Sequence, residues 1–196
     1  FLHAPRLRIG VYILLALSGG CGLVYEIVWT RILELSFGTT HIAISTVLAT
    51  YMAGLACGSA IGARYAPKIK NPVLIYGILE GIIGLYALLV SPALYHLNAI
   101  YAFLGAQPSP AATTFFRVLL TVTMLLVPTA CMGATLPVMG RAMLEKENTG
   151  RFTGHLYATN TIGAVAGCLA AGFLLIGWLG LSGTIYLTGA IRLAVC

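Results

Sequence analysis

The sequence contains no aspartate, and its five acidic residues are all glutamate, in a chain of 196 residues. Charged side chains of either sign make up 8% of it, against roughly 25% in an ordinary soluble domain. So few charges cannot clothe the surface of a water-soluble globule, and a disordered chain would need a far more polar composition. No CxxC or Cys–His spacing joins Cys21, Cys57, Cys131, Cys168 and Cys196, which speaks against a disulfide framework and against a zinc or iron–sulfur centre. His3, His41, His96 and His155 fall at or beyond the ends of the apolar runs, away from the paired intramembrane positions that haem would need. No cofactor is expected. The net charge of +6 is spread between apolar runs rather than gathered on an aromatic-rich basic face, so nucleic acid is not an expected partner.

What the chain has is apolar length: 59% of its residues are hydrophobic and its mean hydropathy is +0.95. A spanning helix takes about 20 residues. The apolar runs cover approximately 9–29, 43–62, 72–90, 115–139, 156–178 and 183–196, which predicts an all-α, polytopic integral membrane bundle of about six helices in a single transmembrane domain. Arg6, Arg8, Arg64, Lys68, Lys70, Arg141, Lys146 and Arg151 fall in the leader and alternate loops, with only Arg31 and Arg117 on the other side. By the positive-inside rule the amino terminus is cytoplasmic, in the inner membrane of a bacterial cell. Trp29 and Trp178 then stand at outer helix ends, where indole rings favour the headgroup boundary. The sixth run, about 21 Å long, falls short of the roughly 30 Å hydrocarbon core. With a first residue that is Phe rather than Met, this makes the sixth helix incomplete and the chain a piece of a longer protein continuing past Cys196. A lipoprotein signal ending at Cys21 is a poor alternative, because Ser18 stands where a larger apolar residue belongs and the run continues to Trp29.

Small residues recur at helical spacing: Gly54, Gly58 and Gly62 on the second run, Gly77 and Gly81 on the third, Gly163 and Gly167 on the fifth. In lipid such stripes let helix backbones approach closely, and one of them could equally face a partner protein. Pro128 and Pro137 interrupt the hydrogen bonding of the fourth helix and predict a bend there. Its freed carbonyls would fall to Thr129, Thr135 or neighbouring helices, unless the interruption lines a binding site.

Ionisable groups inside a bilayer are costly and each is a site hypothesis. The candidate intramembrane polar site comprises Tyr25, Glu26, Trp29, Arg31, Glu80, Asn160 and Arg192. Arg192 needs an acidic partner, either Glu80 or Glu26. On one reading Glu26 and Arg31 form an interfacial clasp and Glu80 is structural. On the other, Glu26 and Glu80 mark a path for a cation or a polyamine. Both stay open.

The segment LSGGCGLVYEIVWTRILELSFGTTHIAISTVLATYMAGLACGSAIGARYA, with Tyr25, Glu26, Trp29, Arg31 and Phe37-Gly38, resembles the membrane-embedded part of spermidine synthase-like proteins. So does the later block MGATLPVMGRA with GHLYATNTIGAVAGCLAAGFLLIGWLGLSGT, carrying Gly133, Pro137, Arg141, Tyr157, Asn160, Gly163 and Gly167. The 58–68 loop is distantly similar to a loop motif of major facilitator transporters, without the acidic residue expected beside Arg64. The first resemblance implies a membrane region that accompanies an aminopropyltransferase domain. That enzyme's glycine-rich nucleotide turn and catalytic aspartates are absent from a chain without Asp, so no catalytic residue is expected here. The expected function is a non-catalytic domain or subunit that anchors a polyamine-type enzyme, or feeds it. An accessory subunit of a respiratory or photosynthetic complex and half of a small-molecule transporter are the alternatives. Expected partners are the lipid bilayer, a protein partner or carboxy-terminal domain, and a polyamine or other small cation.

Overall fold

The computed structural model describes residues 5–37, 40–96, 99–100, 103, 109–143 and 149–196, and among them every regular element is helical. The helices are α1 (Pro5–Phe37), α2 (Thr40–Tyr65), α3 (Pro72–Tyr95), α4 (Pro110–Met143), α5 (Thr149–Ala170) and α6 (Ile176–Val195). A short 3₁₀ turn, Ala66–Lys68, closes α2, and Pro72, whose missing N–H costs nothing in a first turn, opens α3. A π turn at Ala171–Leu175 joins α5 to α6. Five stretches are long and apolar enough to cross a membrane: Ile9–Phe37, His41–Lys68, Pro72–Tyr95, Ala111–Ala142 and Phe152–Val195.

The last stretch has 44 residues, which as a straight helix would reach about 66 Å, twice the hydrocarbon thickness. It is not straight. Gly180 has φ +68° and ψ −179°, a backbone state that side chains with a Cβ rarely adopt. On one side of it Gly163 and Gly167 pack on Ala16 and Gly20 of α1, and on the other Arg192 hydrogen-bonds Ser18 of the same helix. Both arms therefore reach the same level of α1, and the chain doubles back at Gly180. The turn lies three residues before the sixth apolar run was expected to begin.

Two further boundaries differ from expectation. Helix α1 continues eight residues past Trp29 to Phe37, and α4 starts at Pro110 rather than near residue 115. Beyond the expected end at Trp29, Arg31 and Glu34 bond each other at i,i+3 across 3.0 Å, and the helix passes through them. Gly38, Pro108, Glu145, Lys146, Glu147 and the leader residue His3 lie outside the described residues, as do the side chains of Arg6, Arg8 and Arg151.

The close helix contacts follow the small residues. Gly54, Gly58 and Gly62 of α2 abut Thr129, Ala130, Ala134 and Pro137 of α4, while Gly133 of α4 abuts Leu55 in return. Helix α4 runs through Pro128 and Pro137 as one element. The carbonyl of Gly133, left without its N–H donor by Pro137, instead accepts the hydroxyl of Ser59 from α2 at 2.9 Å. Thr129 and Thr135, the expected donors, bond the carbonyls of Leu125 and Met132 within α4. Apolar side chains gather in two clusters, one around Val24, Val28, Ile32, Val47, Ile83 and Leu125, the other around Val11, Leu15, Tyr76, Met139 and Leu156. On α1, Ser18 falls between them.

A Cβ at Gly58 would run into the backbone of Ala130, whereas one at Gly154 would meet nothing. Gly58→Ala is expected to destabilise the bundle by about 1–3 kcal/mol despite the better helix propensity of Ala. Gly154→Ala should be neutral or slightly stabilising, with unfolding in mixed micelles as the measurement for both.

Candidate functional site

Between the two apolar clusters lies a layer of polar groups contributed by α1, α3 and α6. Glu80 of α3 is 0% exposed and Arg192 of α6 is 1% exposed. Their Oε2 and Nη1 atoms stand 2.5 Å apart. Ser18 of α1 completes a three-helix knot: its hydroxyl donates to Glu80 Oε1 at 2.5 Å, and its carbonyl accepts Arg192 Nη2 at 3.0 Å. The expected acidic partner of Arg192 is therefore Glu80 and not Glu26.

Close approach of these helices depends on missing side chains. A Cβ at Gly84 would lie 3.2 Å from Arg192 Cβ, so a glycine there lets α6 settle on α3. A Cβ at Gly22 would lie 2.9 Å from the Tyr51 hydroxyl and 3.6 Å from Arg192 Nη2, so that glycine admits both groups to one spot on α1.

From the ion pair an aromatic ladder continues along α1. The Arg192 guanidinium stands 5.8 Å from the Tyr25 ring centroid, within cation–π range. Tyr25 stacks on Trp29 with centroids 5.4 Å apart and planes inclined by 11°. Trp29 Nε1 donates to Ser91 of α3 at 3.2 Å, and Ser91 in turn donates to the Ala87 carbonyl. Trp29 is thus 0% exposed and holds α1 to α3, which corrects its expected place at the headgroup boundary. Trp178, 80% exposed, does face outward.

The expected clasp of Glu26 and Arg31 does not form. Arg31 pairs with Glu34, and only the backbone carbonyl of Glu26 is engaged, by the hydroxyl of Thr30 at 2.8 Å. The Glu26 Oε2 atom is buried and has no hydrogen-bond partner. Asn160 of α5 faces Gly19 of α1, next to Ser18, without bonding to the ion pair. Tyr25, Trp29, Glu80 and Arg192 come together, whereas Arg31 and Asn160 stand apart and Glu26 lies one turn beyond Gly22 on the same face of α1, outside the hydrogen bonds of the ion pair. Sequence reasoning missed Ser18, Gly22, Tyr51, Gly84 and Ser91. A signal existed for two of them, since Ser18 and Gly22 precede Glu26 at i+4 steps on one helix face. Among the described residues all five cysteines are free, and no three His, Cys, Asp or Glu side chains converge as a metal site would require.

The chain is similar to the polyamine aminopropyltransferases of Mycobacterium tuberculosis and Mycobacterium bovis, 28% identical over 185 residues. The match covers 91% of this chain and 33% of each relative, so the chain spans about a third of the length of the curated proteins it matches. The relationship to spermidine synthase-like proteins is distant. No family model matches the chain, and no solved structure does.

Removing one partner of a buried ion pair leaves the other charge uncompensated. Glu80→Gln or Arg192→Met alone is expected to cost about 3–5 kcal/mol, whereas Glu80→Leu combined with Arg192→Met should recover much of that loss. A double-mutant cycle on unfolding in micelles gives the coupling energy, and additive single effects would contradict the pairing.

Proposed function

We propose that this chain is a multi-pass domain of the bacterial cytoplasmic membrane that accompanies a polyamine aminopropyltransferase, holding the enzyme at the bilayer and passing polyamine-type cations toward it. The observation that carries this reading is the extent of the similarity: it runs along nearly the whole helical bundle, so the bundle itself is what the chain has in common with those relatives. The composition agrees, since a chain without aspartate lacks the carboxylates that the transfer chemistry uses. In this reading the fold at Gly180 separates a fifth from a sixth crossing, and the basic residues Arg64, Lys68 and Lys70 lie in the cytoplasm with the amino terminus.

Within this reading, two carboxylates differ in what they offer a cation. Glu80 is neutralised by Arg192 and Ser18, so a passing ammonium group would have to displace an arginine already bonded to it. Glu26 carries no such counter-charge, and the route is assigned to its side of α1.

Fractionation of cells expressing the full-length protein tests the anchoring. Aminopropyl transfer activity should sediment with membranes and resist a carbonate wash, and deletion of this region should release it to the soluble fraction. Activity that is soluble with the region intact would overturn the reading. For orientation, green fluorescent protein inserted after Lys70 should fluoresce and alkaline phosphatase inserted there should be inactive; the reverse pattern would invert the topology.

A further inference from the structure

Glu26 is a half-buried carboxylate of α1 with one oxygen turned into the bundle. Arg31 is turned to Glu34, Arg192 is committed to Glu80 and Ser18, and Glu26 Oε2 is buried without a donor. The extension of α1 to Phe37 changes its depth as well. The Ile9–Phe37 span is centred on Leu23, which places Glu26 about 5 Å from the middle of the span at 1.5 Å per residue.

Its surroundings are those of a receptor for a donor-rich cation. One turn earlier on the same face, Gly22 leaves the space in which the Tyr51 hydroxyl stands, and Tyr51, 3% exposed, is near enough to Glu26 and to Arg192 to feel both charges. Met132 Sδ, 3.8 Å from where a Gly22 Cβ would be, borders the same space with a polarisable, uncharged surface. The hydroxyl of Tyr25 on the adjoining face is likewise buried and unpartnered. A carboxylate and a phenol oxygen accept hydrogen bonds, and an aromatic face attracts positive charge. An anion would be repelled by Glu26. A divalent metal would find one carboxylate where it needs several oxygen ligands. A primary ammonium, with three N–H donors around a single positive charge, matches what is offered.

We propose that Glu26 and Tyr51 form a mid-membrane site for a primary alkylammonium group, with the Glu26 carboxylate and the Tyr51 phenol oxygen accepting its N–H bonds. The inference deepens the cation route proposed above and rests on that reading only for the choice of a polyamine as the amine. The Glu80–Arg192 pair borders the site: the guanidinium stands against the same spot on α1 as the Tyr51 hydroxyl, and its charge is answered by Glu80 and Ser18.

The test is equilibrium binding of labelled spermidine to the full-length protein in lipid nanodiscs. Wild type should hold one amine equivalent per chain more than Glu26→Gln. Tyr51→Phe should retain that equivalent with affinity weakened about tenfold, the loss of one hydrogen bond to a charged group. Glu34→Gln, whose carboxylate is already paired with Arg31, should bind as wild type does. Equal stoichiometry and affinity in wild type and Glu26→Gln would overturn the site and identify Glu26 as merely protonated or hydrated. If Glu26→Gln fails to fold, Tyr51→Phe decides, and unchanged affinity there overturns the proposal. A soluble transferase activity would refute the anchoring without touching this binding result, and a null result at Glu26 would leave the anchoring intact.

Discussion

The salt bridge between Glu80 and Arg192, closed by Ser18, is the constraint from which the arrangement of α1, α3 and α6 follows. Two opposite charges in a low-dielectric interior must meet, because either one alone is intolerable there. Their meeting fixes the axial position of three helices to within a hydrogen bond. Other features read as its conditions. Gly84 lets α6 come close enough for the guanidinium to reach the carboxylate, Gly22 leaves it room on α1, and Gly180 turns the chain back so that residue 192 returns to the level of residue 18.

Elsewhere in the bundle, backbone packing takes over. Helices in hydrocarbon gain nothing by trading one apolar neighbour for another, so attraction comes from the dispersion contacts that near-touching backbones make. Helices α2 and α4 meet in this way along Gly54, Gly58, Gly62 and Gly133, and α1 and α5 along Gly20, Gly163 and Gly167. These seams specify which faces meet. Register along the seam is set more firmly where a polar contact crosses it, as Ser59 does by taking the carbonyl that Pro137 strands.

Much of the fold was legible in the sequence because the apolar runs are long and the polar interruptions few. Misreadings arose where a local sign had two physical meanings. Arg31 and Glu34 look like the polar end of a helix, yet as an i,i+3 pair they screen each other and the helix proceeds. A tryptophan near such an end suggests the headgroup boundary, but Trp29 lies on the face that also carries Tyr25 and is covered by α3, where Ser91 takes its N–H. In the sequence Ser18 and Gly22 carry no sign of the ion pair, because small residues are common in membrane helices. Their meaning lies in what they face, and Glu80 and Arg192 are 62 and 174 residues away along the chain from Ser18. Periodicity reports which residues share a face and carries no information about the face opposite.

The separation of Glu80 from Arg192 also bears on how the protein is made. The two are 112 residues apart, with α4 and α5 between them, so the carboxylate leaves the ribosome long before its counter-ion exists. Until then α1 has only the Ser18 hydroxyl to offer Glu80. Arg192 arrives after all of these, and an arginine at the centre of a membrane-spanning helix carries an insertion penalty of about 2.5–3.5 kcal/mol. Its burial is therefore tied to the earlier helices being in place, and the arm after Gly180 acts as a latch across α1 and α3.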